Sequence, residues 1–351
     1  MTESPSIEPL PYTESAAAEA LGPEWKSVAL QGYRWMSLGR ALDARMQGLQ
    51  RQGRVGFYGA ATGQEAVNVA AGLASVADDW VYPGLREQLV ALVRGHPLGT
   101  YLHHLFADSL DPARGRNMPC HPSARDVQYV SMSSVIGTQI SHAVGTAWGL
   151  RRDRRPGAAL AFFGDGATSS NDFHAGLNFA GVFRVPVLFC CTNNQWAISV
   201  PVERQTRSAT LASKARAYGF EGVRVDGTDF LAAYAALSAA LRRIRAGSGP
   251  ELIEFLLYRM TAHSSSDDPG RYQPPDWAAR ARAFDPFGRL DQWLTREGLL
   301  TPSVRQSIAE ESERQVRAAV EAAEATSPPS DASVTEDVYS SAGSEGAVPR
   351  R

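Results

Sequence analysis

Three apolar runs, each ending sharply in glycine or polar residues, set the frame of this chain. Gly157-Ala-Ala-Leu-Ala-Phe-Phe163 stops at Gly164-Asp165-Gly166, and the run 185–191 stops at Asn193-Asn194. A third run, 251–257, leads into a polar loop over 260–272. Unbroken apolar stretches of this length predict strands buried on both faces. Elsewhere the pattern changes to helical spacing. Val28, Leu30, Trp35, Leu38, Leu42 and Met46 predict a helix over 25–51. Further helices are expected over 63–73, 84–94, 100–106 and 141–151, then over 211–218, closed by Gly219, and 230–245, capped by Asp229. A loop from Ala77 leads into a short buried strand at Trp80-Val-Tyr, Gly222-Val-Arg-Val is another strand, and two helices are expected near 286–297 and 302–326.

Such alternation predicts an α/β fold: a mostly parallel sheet with helices on both faces, an N-terminal helical arm and C-terminal helices. Residues 1–25 read as a mobile arm, 26–325 as one α/β domain, and 326–351 as a mostly disordered tail rich in Ser, Pro, Gly and Ala. The polar stretch 107–129 is long for a structureless loop inside a domain, a length that points to function or disorder.

Composition narrows the picture modestly. The 351 residues are 44% hydrophobic and 21% charged, with net charge −2, which leaves no basic footprint for nucleic acid or an anionic membrane. No apolar run approaches the roughly 20 residues that cross a bilayer. Five Glu and no Lys or Arg precede Lys26, which argues against a secretory or Arg-rich mitochondrial leader and for a cytoplasmic protein. Cys190 and Cys191 are strand neighbours facing opposite sides and Cys120 lies in a Pro-rich loop, so all three read as reduced thiols.

The candidate chemistry lies at the ends of two adjacent strands. Strand, Gly-Asp-Gly turn, helix and strand form a βαβ unit, with 26 residues between Gly166 and Asn193. Ligands of open α/β sheets bind at the carboxyl ends of strands. There the Asp165 carboxylate, the Asn194 amide and glycines that expose backbone N–H groups suit a divalent cation holding a diphosphate. The turn also loosely mimics a dinucleotide site, but it lacks the third glycine and the acidic residue closing the second strand.

Taken with three other blocks, this unit resembles the alpha subunits of the decarboxylating component of 2-oxoacid dehydrogenase complexes, of branched-chain or pyruvate type. The blocks are Val81-Tyr-Pro-Gly-Leu-Arg-Glu-Gln, Ser133-Ser-Val-Ile-Gly-Thr-Gln, and Tyr258-Arg-Met-Thr-Ala-His-Ser-Ser-Ser-Asp-Asp-Pro. The resemblance runs from about Gly63 to Ser340 and implies a thiamine-diphosphate-binding fold with thiamine diphosphate and Mg²⁺ as cofactors. It implies metal ligation by Asp165, Asn194 and the Trp196 carbonyl. Diphosphate contacts are implied for Gly164, Gly166, Ala167, Arg86 and His263, and contacts to the middle of the cofactor for Ser134 and Ile136. His263 is the implied catalytic side chain, assisting acyl transfer to a lipoyl group. Ser133, Thr138, Gln139 and the Val135 carbonyl resemble a potassium site found in some members. Ser264 and Ser266 match loop positions that kinases modify in mitochondrial relatives, and here they read as hydrogen-bonding residues. The glutamate that activates the cofactor belongs, in two-chain members, to a beta subunit. The resemblance therefore implies an α2β2 assembly that serves a lipoyl-bearing acyltransferase.

Two positions depart from the family pattern. Leu85 stands where Tyr is common, and Thr192 where Arg or Glu is often found. Neither is a metal ligand, but both leave open a catalytically silent scaffold or regulatory subunit. The loop at Ser264 and the Arg116-Asn-Met-Pro run favour a branched-chain 2-oxoacid, with pyruvate a close second. His121, in the Met118-Pro-Cys-His run, has no assigned role.

Overall fold

A computed structural model describes residues 22–336. Most of the expected N-terminal arm, and residues 337–351 of the expected tail, lie outside the described residues. The chain runs through α1 (Trp25–Arg51), α2 (Glu65–Ala74), β1 (Trp80–Tyr82), α3 (Gln88–Val93), α4 (Leu98–Phe106), α5 (Thr138–Arg152) and β2 (Ala159–Gly164). Next come α6 (Asn171–Phe183), β3 (Val187–Asn193), a small hairpin of β4 (Trp196–Ala197) and β5 (Val200–Pro201), and β6 (Gly222–Asp226). α7 (Phe230–Arg245), β7 (Glu251–Leu256), α8 (Trp277–Ala283), α9 (Pro286–Arg296) and α10 (Pro302–Glu324) complete it.

The main sheet has the order β1-β2-β3-β7-β6, and every pairing in it is parallel. β3 lies at its centre with all seven residues buried. Alternate residues feed two cores. Leu160, Phe162, Leu188, Cys190 and Phe255 face α1, α2 and α7, while Ala161, Phe163, Phe189 and Cys191 face α5 and α6. The two adjacent cysteines thus enter opposite layers, and all three cysteines are free and buried. Among the described residues no helix is long and apolar enough to cross a membrane.

Local signals explain most boundaries. Asp229 accepts from the backbone N–H of Leu231 and Ala232 and starts α7 where its cap predicts. α5 begins three residues before the expected start, at Thr138. Gly137, at φ 94°, turns the chain in, and a Cβ there would meet Ser170 Oγ at 2.5 Å. The segment Ala212–Tyr218 coils as expected but as a 3-10 helix, closed by Gly219 at φ 81°. The hairpin and α8 have no clear sequence signal, since two-residue strands show no period.

β7 carries one buried break in its apolar pattern. Glu254 is 0% exposed and accepts from Asn193 Nδ2 at 2.8 Å, Ala212 N at 2.9 Å and Arg224 at 2.9 Å. It clamps the end of β3 in place. Residues 326–336 are also ordered: Ser327 O accepts from Ser109 N, and Arg116 donates to Ser333 O. The folded part of the chain therefore continues past residue 325.

Candidate cofactor site

Parallel strands bring their carboxyl ends to one edge, so four separate sequence blocks converge there. Gly164 at the end of β2 delivers Asp165. β3 ends at Asn193 and delivers Asn194. The exit of β7 carries Arg259 and His263, and the turn after β1 carries Arg86.

Asp165 opens a 3-10 turn, Asp165–Ser169, and is only 1% exposed. Burial pushes its carboxyl up to about 6, against the hydrogen bonds from the Gln205 amide (2.6 Å) and the Asn194 backbone. Asn194 Oδ1 accepts from Trp196 N at 3.2 Å, and Asn193 Oδ1 accepts from Gln195 N at 2.9 Å, so paired Asx turns fix this loop. Gly166 is needed for a close approach as well as for an exposed amide. A Cβ there would come within 2.7 Å of Ala197 Cβ, displacing the hairpin that carries Trp196.

A buried cationic group, whose Arg259 acts on the Asp165 carboxyl, lies at the same edge. Arg86, 5% exposed, donates to the carbonyls of Ala60 and His263, and His263 Nδ1 lies 3.5 Å from its guanidinium. Among the described residues no carboxylate pairs with Arg86. Arg259 is 1% exposed and donates to the Trp196 and Ile198 carbonyls and to the Tyr272 hydroxyl; its nearest carboxylate, Asp267, is 3.8 Å away. Burial and then Arg259 lower Arg86 to about 10, while burial, Arg86 and Arg259 push His263 down to about 4. The His263 ring is therefore neutral at pH 7. Glu87 and Asp43 offset part of the Arg86 charge, and two buried guanidiniums beside one histidine still favour an anion at this edge.

The residues fit a diphosphate and a divalent cation. Among the described residues no group of three His, Cys, Asp or Glu side chains is placed to hold a metal. The candidate donors, Asp165, Asn194 and the Trp196 carbonyl, would be one carboxylate, one amide and one carbonyl. One carboxylate is a weak cage for Mg²⁺ by itself and a sufficient one when phosphate oxygens complete the shell.

Of the other expected residues, Ala167 shares the 3-10 turn of Asp165, while Ser134 and Ile136 occupy the loop before α5. Ala167 is buried, Ser134 is exposed, and Ile136 is 63% exposed. This loop is tied to the sheet by Gln139 Nε2, which donates to Phe162 O at 2.9 Å, while Gln139 Oε1 is buried without a partner. The two departures are filled by packing. Leu85 lies against Gly59, and Thr192 Oγ1 donates to Phe163 O at 3.3 Å. Nothing in the sequence singles out Arg259, Gln205 or Glu254. Each is defined by tertiary burial, which a single Arg, Gln or Glu in a string does not reveal.

Glu87, beside Arg86, offers a test of this packing. It is 2% exposed, and burial pushes it up to about 7. A raised folded value stabilises fully below the unfolded value and is lost as pH rises through about 7. Between pH 5.5 and 8 the wild-type chain should lose about 2 kcal/mol of unfolding free energy relative to Glu87→Gln. Denaturant titrations at the two pH values measure this, and parallel pH profiles would contradict it.

The family profile described as "Dehydrogenase E1 component" matches residues 33–331. The chain is 38% identical over 317 residues to "2-oxoisovalerate dehydrogenase subunit alpha 2, mitochondrial" of Arabidopsis thaliana, covering 90% of this chain and 67% of that protein. It thus spans about two thirds of the plant relative's length. It is 38% identical to "2-oxoisovalerate dehydrogenase subunit alpha" of Bacillus subtilis (84% of this chain, 90% of the relative). It is 37% identical to "Pyruvate dehydrogenase E1 component subunit alpha" of Bacillus cereus (86% and 80%).

Proposed function

Because the chain belongs to the dehydrogenase E1 component family, we propose that it is the alpha subunit of a thiamine-diphosphate-dependent 2-oxoacid dehydrogenase. The observation that carries this reading is the buried Arg86–Arg259–His263 group gathered with the buried Asp165 at one strand edge. Asp165, Asn194 and the Trp196 carbonyl hold Mg²⁺. Arg86 and His263, with the backbone at Gly164, Gly166 and Ala167, hold the diphosphate. Ser134 and Ile136 line the middle of the cofactor, and Ser133, Thr138, Gln139 and the Val135 carbonyl take a potassium ion, for which Gln139 Oε1 is an open donor. When bound, the cofactor supplies the electron sink for decarboxylation. His263 enters neutral and uncharged, able to hold a proton on one ring nitrogen and accept on the other near the reacting centre. A diphosphate held by Arg86 and His263 would raise the basicity of the ring.

The active unit includes a second chain. The exposed faces of α5 and α6 carry Trp148 (49% exposed), Phe179 (51%) and Val182 (68%). The only charged residues on these two helices are Asp172 at one end and Arg151 and Arg152 at the other. Gly145 and Gly149 lie four residues apart on α5, and a Cβ at either would meet nothing within 4 Å. Glycine inside a helix costs about 0.5–1 kcal/mol, and nothing within this chain requires it here. A beta subunit packing its own helices on this uncharged face explains the glycines, the aromatics and the exposure together. The assembly is then α2β2, cytoplasmic, and serves a lipoyl-bearing acyltransferase.

The substrate is a branched-chain 2-oxoacid, the class named in the plant and Bacillus subtilis relatives, with pyruvate the alternative that the Bacillus cereus relative keeps open. A panel of 2-oxoacids on the reconstituted pair tests this. Branched-chain substrates should give the highest kcat/KM, and a preference for pyruvate would reverse the assignment.

A further inference from the structure

We propose that His121 is a positioning residue that turns Ser134 into a pure hydrogen-bond acceptor toward the site, so that the ligand group seated on Ser134 is an N–H or O–H donor. The inference rests on the cofactor site proposed above, and it gives a role to the histidine that no sequence motif explains.

The proton on the imidazole ring decides the direction of each contact. His121 is 8% exposed, and its Nδ1 lies 3.0 Å from the Pro119 carbonyl. A carbonyl oxygen only accepts, so Nδ1 carries a hydrogen, and a ring with that one hydrogen presents Nε2 as an acceptor. Nε2 lies 2.6 Å from Ser134 Oγ. The only hydrogen available to that contact is the serine's, so Ser134 donates inward. A hydroxyl has one hydrogen, and with it committed only lone pairs remain for a ligand. The keto and carboxylate oxygens of a 2-oxoacid are acceptors only, and Ser134 cannot serve them. An amine or hydroxyl hydrogen suits it, and the exocyclic amine of the cofactor is such a group.

The surrounding loop is built to hold the ring in this orientation. His121 N donates to His104 Nε2 at 3.1 Å, which places the His104 hydrogen on Nδ1, 3.3 Å from Asp111 Oδ1. Asp111 also accepts from Ala113 N and Gly115 N, and Asn117 donates to His121 O at 3.2 Å. Cys120 adopts φ 63°, a left-handed conformation unfavourable for a side chain, just before the histidine. Thus α4 and much of 107–129 brace one imidazole whose free nitrogen is aimed at an exposed serine. A histidine serving only the core has no need of that aim.

The test uses the assembled enzyme with His121→Leu, His121→Gln, Ser134→Ala and the double variant His121→Leu/Ser134→Ala. Gln keeps an acceptor oxygen near the position of Nε2. His121→Leu and Ser134→Ala should each lower kcat/KM about tenfold, the double variant should be no worse than either, and His121→Gln should stay within about threefold of wild type. Nitrogen-15 NMR of the chain should show His121 protonated at Nδ1 and bare at Nε2. Wild-type kcat/KM in His121→Leu, multiplicative effects in the double variant, or a proton on Nε2 would each overturn the proposal. Should His121→Leu fail to fold, His121→Gln near wild type with Ser134→Ala reduced supports it, and equal loss in both overturns it. A wild-type assembly that binds no thiamine diphosphate contradicts the cofactor site instead, while the NMR result still decides the tautomer.

Discussion

Asp165→Ala in the assembled enzyme should lower kcat/KM by at least about a thousandfold with little effect on folding. The donor set dictates this. In the proposed donor set Asp165 is the single carboxylate, and among the described residues no cluster of three His, Cys, Asp or Glu side chains offers a substitute. Losing it removes the metal and with it several kcal/mol of charge neutralisation at the diphosphate, each tenfold in rate being about 1.4 kcal/mol. The fold should tolerate the change, because the wild-type carboxyl is itself penalised by burial. Steady-state kinetics with a thermal melt on the same sample reads both effects. Activity within tenfold of wild type would remove Asp165 from the metal site.

The second large effect is on assembly. Trp148→Glu combined with Gly149→Leu should weaken binding of the beta subunit by at least about a hundredfold while this chain stays folded. Trp148 is 49% exposed, and a Cβ added at Gly149 would meet nothing within 4 Å, so neither change disturbs the interior. On a covered face, losing the Trp148 ring, taking a carboxylate out of water and placing a bulky side chain at a close helix crossing together cost several kcal/mol. Co-purification followed by sedimentation measures the loss. An intact α2β2 particle from the double variant would move the partner to another surface.

These effects rest on features unequally legible in the sequence. The ends of β2 and β3 can be read directly, because apolar runs stop at Gly-Asp-Gly and Asn-Asn and the strand ends of a parallel sheet coincide. The Asp229 cap is equally plain, being a local hydrogen bond between neighbours in the chain. Arg259 is not legible. Its significance comes from 1% exposure and from carbonyls at Trp196 and Ile198, some sixty residues away in the chain. Glu254 is hidden in the same way inside an apparently apolar strand. The exposed band on α5 and α6 is also obscured, since Ala- and Gly-rich helices read as interior until the sheet shows which face is already covered. The 107–129 stretch reads from sequence as a loop with a role or as disorder. It is ordered by Asx turns at Asp108 and Asp111 that fold it back onto α4.

The central claim is that this strand edge is the Mg²⁺–diphosphate half of a shared active site. Calorimetric titration of thiamine diphosphate into the wild-type assembled enzyme, with Mg²⁺ and then with the metal chelated, tests it most directly. Saturable binding of one cofactor per copy of this chain is expected, abolished by chelation and absent in Asp165→Ala. A wild-type enzyme that takes up no thiamine diphosphate, or binds it equally well without metal, would contradict the claim.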